Sequence, residues 1–106
     1  MKTLILAATL ALLSAGPSLA ACYEDIGCTD EDKFRKSELS DFSCQILWDV
    51  RNTIYKENGY CFQTAKARKY FGNKGCWIDD MEDVKMSSIE RHNVGQIVAV
   101  EKALGC

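Results

Sequence analysis

Hydrophobic positions recur every three or four residues in three segments of the chain, which is the spacing of one face of an α-helix. The strongest of these segments predicts a helix from about residue 43 to residue 58, with Ser40 or Ser43 as its N-cap. Asn58-Gly59 ends this helix, because glycine tolerates the left-handed backbone that often follows a helix. A shorter helix is predicted over residues 64–71.

The third predicted helix begins near Ser87 and ends at Gly105. Its first residues, Ser87-Ser88-Ile89-Glu90, match a capping box. Alternation of apolar and polar residues is nowhere sustained, so no strand is predicted. Residues 21–39 are interpreted as an irregular N-terminal arm with one short turn near 32–35, and residues 72–86 as a loop. We therefore expect an all-α fold, a small three-helix domain stapled by disulfides.

Residues 1–20 have the features of a secretory signal peptide. Lys2 precedes a ten-residue apolar run, Leu4–Leu13, which is too short to span a bilayer comfortably. Ser18-Leu19-Ala20 then places small residues where a signal peptidase reads them, so we expect cleavage after Ala20. Residues 21–106 would form a single mature domain that is periplasmic or secreted.

A bacterial lipobox overlaps the same cleavage site. In Leu19-Ala20-Ala21-Cys22, Cys22 would be acylated and would become the first residue of a lipid-anchored lipoprotein. A membrane partner is expected only in that case. Acylation of Cys22 leaves five cysteines, an odd number for an oxidising compartment. Soluble export is therefore the favoured interpretation, and lipidation at Cys22 is the alternative.

Six cysteines against one histidine are the unusual part of the composition of this 106-residue chain. In a small exported protein, an even number of cysteines indicates a disulfide framework. Sequence alone leaves fifteen pairings open. Antiparallel packing of the first and third helices, with a bridge around the second, favours three pairs: Cys44–Cys106, Cys61–Cys76 and Cys22–Cys28.

Charge and motifs argue against several classes of function. A net charge of −2, with acidic and basic residues interspersed, is not that of a nucleic-acid binder. The sequence has no G-x-S-x-G motif, no C-x-x-C pair and no EF-hand spacing. We therefore expect no catalytic residues, no cofactor and no metal. His92 and the acidic runs at 30–32 and 79–83 are expected on solvated surface.

Arg51 interrupts an otherwise apolar helical stripe and begins a longer signature. The segment from Arg51 to Phe62 resembles the signature of the YARHG domain family, R-N-x-I-Y-A-R-H-G-Y-x-F. The matching positions are Arg51, Asn52, Ile54, Tyr55, Gly59, Tyr60 and Phe62. The departures are Lys56, Glu57 and Asn58, which stand where the family has alanine, arginine and histidine.

This resemblance covers about residues 37–78. It implies an extracytoplasmic bacterial domain, from a family associated with lipoproteins and peptidase-containing proteins. The family has no established enzymatic activity or ligand, so the resemblance leaves the function open. A role of the family's histidine cannot be transferred, because Asn58 occupies its place.

The matched polar residues allow two interpretations. In the first, Arg51 spreads its guanidinium over carbonyls or a carboxylate, and Tyr55 and Tyr60 pack the returning loop against the helix. In the second, Arg51, Asn52, Tyr55 and Tyr60 line a ligand groove. Arginine suits a carboxylate and tyrosines suit sugar rings, and a bacterial cell wall contains both.

We therefore expect an exported, non-catalytic module of the bacterial envelope that binds a cell-wall component or an envelope protein. The alternative function is a small secreted hydrolase or a hydrolase inhibitor. A hydrolase needs a cleft with at least two converging titratable groups. An inhibitor needs a protruding loop, for which Lys74–Asp83 is the best candidate.

Overall fold

A computed structural model of the protein describes residues 21–106, so the predicted signal segment over residues 1–20 lies outside the described residues. The described chain is mainly helical, and one short 3-10 turn, Met81–Asp83, precedes the last helix. Its strands and helices are β1 (Cys22–Tyr23), β2 (Gly27–Cys28), α1 (Lys36–Leu39), α2 (Cys44–Glu57), α3 (Ala65–Phe71) and α4 (Ser88–Leu104).

Helices α2, α3 and α4 are the three predicted helices, and side chains cap the start of each. The hydroxyl of Ser43 accepts from the Ile46 N–H at α2, and the hydroxyl of Thr64 accepts from the Ala67 N–H at α3. At α4 the capping box is complete, because Ser87 and Glu90 each accept from the other's backbone N–H. Local capping chemistry therefore sets where the helices begin.

The N-terminal arm is more regular than predicted. β1 and β2 form a two-stranded antiparallel ribbon in which Cys22 pairs with Cys28 and Tyr23 with Gly27. α1 is a fourth helix, and the helical turn expected near 32–35 lies instead at 36–39. The mainly helical, disulfide-stapled fold is as predicted, and the ribbon and α1 are additions to it that are too short to produce a periodic sequence pattern.

The main core lies between α2, α4 and the arm. Cys44 at the start of α2 is bonded to Cys106 after α4, while Asn58 at the other end of α2 meets Glu90 in the first turn of α4. The two helices are therefore antiparallel. The core residues come from all three parts of the chain: Ile26, Phe34, Leu39, Leu47, Val50, Ile54, Ile97 and Val100.

One buried amide joins the arm to α4. The side chain of Asn93 is fully buried, and its Oδ1 accepts from the Phe34 N–H at 2.8 Å. Its Nδ2 donates to the carbonyls of Thr29, at 3.0 Å, and Asp32, at 2.8 Å. One residue thus satisfies three backbone groups of the arm, two of them in buried hydrogen bonds.

The six cysteines form three disulfides, and none of the described cysteines is free. The pairs are those that the helix arrangement favoured: Cys22–Cys28, Cys44–Cys106 and Cys61–Cys76. The first closes the arm ribbon, the second joins the helix pair, and the third closes the loop that contains α3. Each part of the fold therefore has its own covalent link.

Asn93→Ala is expected to lower the free energy of unfolding by roughly 3 kcal/mol, because two buried and one partly buried backbone group lose their partner. Urea unfolding followed by far-UV circular dichroism measures this loss. Gln96→Ala is the matched control, since Gln96 also lies on α4 and donates to the Phe34 carbonyl, at 3.3 Å. An Asn93→Ala loss no larger than that of the control would contradict the linking role of Asn93.

Candidate functional site

Arg51 forms a salt bridge within the fold. It lies on α2, and its Nε and a terminal guanidinium nitrogen donate to the two carboxylate oxygens of Glu101 on α4, at 2.8 and 3.1 Å. The two side chains are only 23% and 14% exposed. A two-point pair of this kind fixes the angle and register of the helices as well as compensating two half-buried charges.

The other three residues of the predicted groove are also turned into the structure. Asn52 is buried, and its Nδ2 donates to the Trp48 carbonyl at 2.9 Å. Tyr60 is buried, and its ring meets the rings of Tyr55 and Phe62 edge-on, at centroid distances of 5.8 and 5.3 Å. These aromatic residues hold the loop after α2 against α2 and α3.

A cavity of about 190 Å³ brings three of the four predicted residues together. Arg51, Asn52 and Tyr60 line it with Trp48 and Phe62, whereas Tyr55 does not. Its volume is below the range of about 300–1,000 Å³ that is usual for ligand sites. The geometry matches the clamp interpretation most closely, and ligand binding by these residues stays a prediction.

A larger pocket lies at the other end of α2. Its volume is about 570 Å³, which is within the usual range for a ligand site. Trp77 forms its apolar wall and is 69% exposed. The lining residues come from the end of α2 and from the loops before α4: Glu57, Asn58, Trp77, Ile78, Asp83 and Lys85.

Trp77 is exposed and yet firmly held. The backbone N–H groups of Trp77 and Ile78 both donate to the Gly59 carbonyl at 3.0 Å, and the Cys61 N–H donates to the Ile78 carbonyl at 2.7 Å. The Cys61–Cys76 disulfide closes the same loop. The indole lies directly on Gly59, where a Cβ atom would stand 2.4 Å from the ring. Gly59 also has a φ of +92°, which favours glycine.

Glu57 gives the pocket an unusual carboxyl group. Burial, first of all, raises the pKa of Glu57 to about 7; the backbone N–H of Ala21 lowers it, and the nearby carboxylates of Glu90 and Asp30 raise it. Its Oε1 is buried and has no hydrogen-bond partner within residues 21–106. The neighbouring Asn58 donates to Glu90, at 3.1 Å, and to the Ile54 carbonyl, at 2.8 Å.

Sequence reasoning missed Trp77 and Glu57 as site residues. Trp77 belongs to the loop that was singled out as a possible inhibitor loop, and the signal that could have found it is a tryptophan between a cysteine and an acidic run. Glu57 could have been singled out because it replaces the arginine of the resembled signature. Neither signal reveals that the two residues share a pocket.

The remaining chemical candidates lie on the surface. His92 is exposed, and so are Asp79, Asp80, Glu82 and Asp83 of the acidic run. Residues 21–106 contain no group of three or more histidine, cysteine or acidic side chains placed to hold a metal ion. Over the same residues, no helix is both long enough and apolar enough to cross a membrane.

Comparison with protein-family models matches residues 23–102 to the YARHG domain. The chain belongs to the YARHG domain family. The match is wider than the segment of about residues 37–78 that carries the resemblance, and it includes the arm, the Trp77 loop and most of α4. Searches of curated proteins and of solved structures return no significant match.

The YARHG signature spans the end of α2 and the turn that follows it. Arg51 to Glu57 form the second half of α2, and the rest of the signature forms the turn that leads to Phe62. Two of its residues have defined tasks: Arg51 pairs with Glu101, and Gly59 makes room for Trp77. The departures Glu57 and Asn58 lie together in the Trp77 pocket.

Arg51→Ala is expected to lower the free energy of unfolding by roughly 2 kcal/mol, because the largely buried carboxylate of Glu101 loses its salt-bridge partner on α2. Chemical denaturation measures the loss. Arg35→Ala is the control, since Arg35 forms an exposed pair with Glu38 and its removal should leave stability nearly unchanged. Equal effects of the two substitutions would argue against the clamp.

Gly59→Ala is expected to displace Trp77, because the new Cβ would overlap the indole. The tryptophan emission spectrum should shift, and the protein should lose stability. Gly72→Ala is the matched control: Gly72 has a similar positive φ, +74°, but no atom lies within 4 Å of the site of its Cβ. If the two variants share one emission spectrum, Trp77 does not rest on Gly59.

Proposed function

We propose that this YARHG domain is an exported, non-catalytic module of the bacterial envelope that binds a saccharide of the cell wall. The observation that carries the proposal is Trp77, an exposed indole held rigidly at the wall of a ligand-sized pocket. Large exposed aromatic side chains beside a pocket are typical of binding sites.

The composition of the pocket suits a sugar ring. The flat face of Trp77 offers an apolar surface for the C–H face of a pyranose, and the surrounding polar groups offer hydrogen bonds to its hydroxyls. Lys85 can donate, while Glu57 and Asp83 can accept; both Nδ2 hydrogens of Asn58 are already donated to Ile54 and Glu90. The mixture of charges gives no strong preference for an anion or a cation, which fits a largely neutral ligand.

The way in which Trp77 is held also supports binding. The loop hydrogen bonds and the Cys61–Cys76 disulfide restrict the backbone at Trp77, and the indole lies against Gly59 before any ligand arrives. A side chain that is already ordered loses little conformational entropy on binding. A small domain can thus present one aromatic platform without the larger framework that a deep cleft requires.

An extracytoplasmic location is indicated by the three disulfides and by the family. Within that location, we propose a periplasmic or secreted protein. The Cys22 sulfur that is bonded to Cys28 cannot at the same time carry a lipid, so the lipoprotein alternative requires a protein without that disulfide.

Glycoside hydrolysis is the second candidate, and one observation favours it. Glu57, whose pKa is raised to about 7, shares the pocket with Asp83, and a carboxyl that stays protonated near neutral pH can serve as a general acid. Against it, the Glu57 Oε1 is buried within the fold. Glycoside hydrolysis requires two converging carboxyl groups, and Glu57 and Asp83 are the two in this pocket. Hydrolysis is therefore tested together with binding.

Trp77→Ala is expected to weaken binding at least tenfold, because stacking on an aromatic ring supplies most of the apolar contact. Purified peptidoglycan sacculi are the probe, and co-sedimentation at several protein concentrations measures the affinity. Leu104→Ala is the matched control, since Leu104 is an exposed apolar residue near the end of α4, outside the pocket lining. Thermal unfolding of both variants verifies that they are folded.

The same assay separates the candidates. A binding module sediments with sacculi and releases no reducing ends, whereas a hydrolase releases them and loses this activity in Glu57→Gln. Absence of sedimentation by the unmodified protein, or equal binding by Trp77→Ala, would overturn the proposed function and leave an envelope protein as the remaining class of partner.

A further inference from the structure

Glu57 has one feature that the proposed function does not use. Its Oε1 is buried and has no hydrogen-bond partner within residues 21–106. An acceptor in that position is costly, because it has lost water and gained no donor. The negative charges of Glu90 and Asp30 nearby further disfavour the ionised form of Glu57. Within residues 21–106, no lysine or arginine forms a salt bridge with Glu57.

The arm brings one nitrogen to this carboxylate. The backbone N–H of Ala21 lies within hydrogen-bonding reach of Glu57 and stabilises its ionised form. Ala21 is held there by its own carbonyl, which accepts from the Thr29 N–H at 2.9 Å. The next residue, Cys22, is fixed by its strand pairing and its disulfide to Cys28. The position of the Ala21 nitrogen is therefore set by the fold.

Signal-peptide cleavage after Ala20, as expected from the sequence, changes the chemistry of this nitrogen. Hydrolysis breaks the bond between the Ala20 carbonyl carbon and the Ala21 nitrogen. Water gives its hydroxyl to the Ala20 carbonyl and a hydrogen to the nitrogen, and the resulting amine takes up a proton near neutral pH. A neutral amide with one N–H becomes an ammonium group with three donors and a positive charge.

We propose that Glu57 is the docking site for the α-ammonium group of Ala21 in the processed protein. The ammonium group supplies the donor that Oε1 lacks, and it adds a positive charge beside the carboxylates of Glu57, Glu90 and Asp30. Because Glu57 also lines the Trp77 pocket, the new N-terminus becomes a neighbour of the ligand site.

The pairing has a defined pH signature. While Ala21 is an amide, the pKa of Glu57 is about 7 in the folded protein and near its ordinary value of 4.5 when unfolded. The folded state then binds more protons between these pH values, so stability falls as pH rises from about 4.5 to 7. An ammonium group lowers the folded pKa of Glu57, and this loss of stability should disappear.

The pKa of the amine shifts upward on pairing, whereas the pKa of Glu57 shifts downward. The pKa of the amine is raised in the folded protein by its carboxylate partner, so its contribution is complete below the ordinary amine pKa of about 8 and is lost above the folded pKa. The other titratable groups that face Glu57 are Asp30 and Tyr23 of the arm, Glu90 of α4, and Asp83 and Lys85 of the pocket loops. Because both compared forms contain them, their contributions cancel to first order.

The test compares two forms of the disulfide-bonded protein. One form begins at Ala21, and the other carries a single additional glycine, which restores the amide at Ala21 and moves the ammonium away. Thermal unfolding is measured from pH 4 to pH 9. Near pH 7 the form that begins at Ala21 should unfold roughly 5 °C higher, because a gain of about 1 kcal/mol shifts Tm by 4–8 °C in a domain of this size.

Substitution of Glu57 tests whether its carboxylate causes the difference in Tm between the two forms. Glu57→Gln should remove the difference between the two forms, whereas Glu24→Gln, which changes an exposed carboxylate of the same ribbon, should keep it. NMR titration of the Glu57 side-chain carboxyl in the unsubstituted protein provides a second readout. It should give a pKa near 7 in the glycine-extended form and a value well below this in the form that begins at Ala21.

Three results would overturn the proposal: equal Tm values for the two forms, a difference that survives Glu57→Gln, or one Glu57 pKa in both forms. The intact mass of the exported protein shows whether the processed chain begins at Ala21. A mass that begins at an acylated Cys22 would also overturn it, because Ala21 would be absent. None of these measurements uses a cell-wall ligand, so their outcome is independent of the proposed saccharide site.

Discussion

The fold depends on the side-chain amide of Asn93. This amide provides hydrogen-bond partners for the N-terminal arm, which has little secondary structure of its own. Asn93 satisfies backbone groups of Thr29, Asp32 and Phe34, and it can do so only from a fixed position on α4. With those groups satisfied, the arm can bury Phe34 against α2 and α4. A polar side chain thus makes it possible to bury apolar ones, because an arm with unpaired amides would stay in water.

Local signals predicted the helices well and the arm poorly, and the reason is physical. Ser43, Thr64 and Ser87 cap helices through contacts within three residues, so their effect can be read in a short stretch of sequence. The Cys44–Cys106 pair followed from the antiparallel order of two helices, the Cys61–Cys76 pair from its position around α3, and Cys22–Cys28 was the pair that remained. The arm is ordered by Asn93, about 60 residues away, and a contact over that distance leaves no local pattern.

The candidate site could be predicted only in part. The residues of the YARHG signature were correctly recognised as a set, but the structure uses Arg51 and Tyr60 mainly to hold helices and loops together. Trp77 acquires its exposure from contacts that are distant in sequence, above all with Gly59. Similarly, Glu57 owes its raised pKa to burial and to Asp30 and Glu90, which lie on other elements. Such properties belong to the assembled fold.

The Cys44–Cys106 link has a consequence for the order in which the domain can be completed. A chain that crosses a membrane from its N-terminus delivers Cys22 and Cys28 together, whereas Cys44 emerges 62 residues before its partner. Cys61 arrives in between, and thiol exchange would allow Cys44 to bond to it first. The apolar face of α2 is also uncovered until α4 follows. The Cys44–Cys106 bond can therefore form only once α4 is present, after the cysteines of the other two pairs have both appeared.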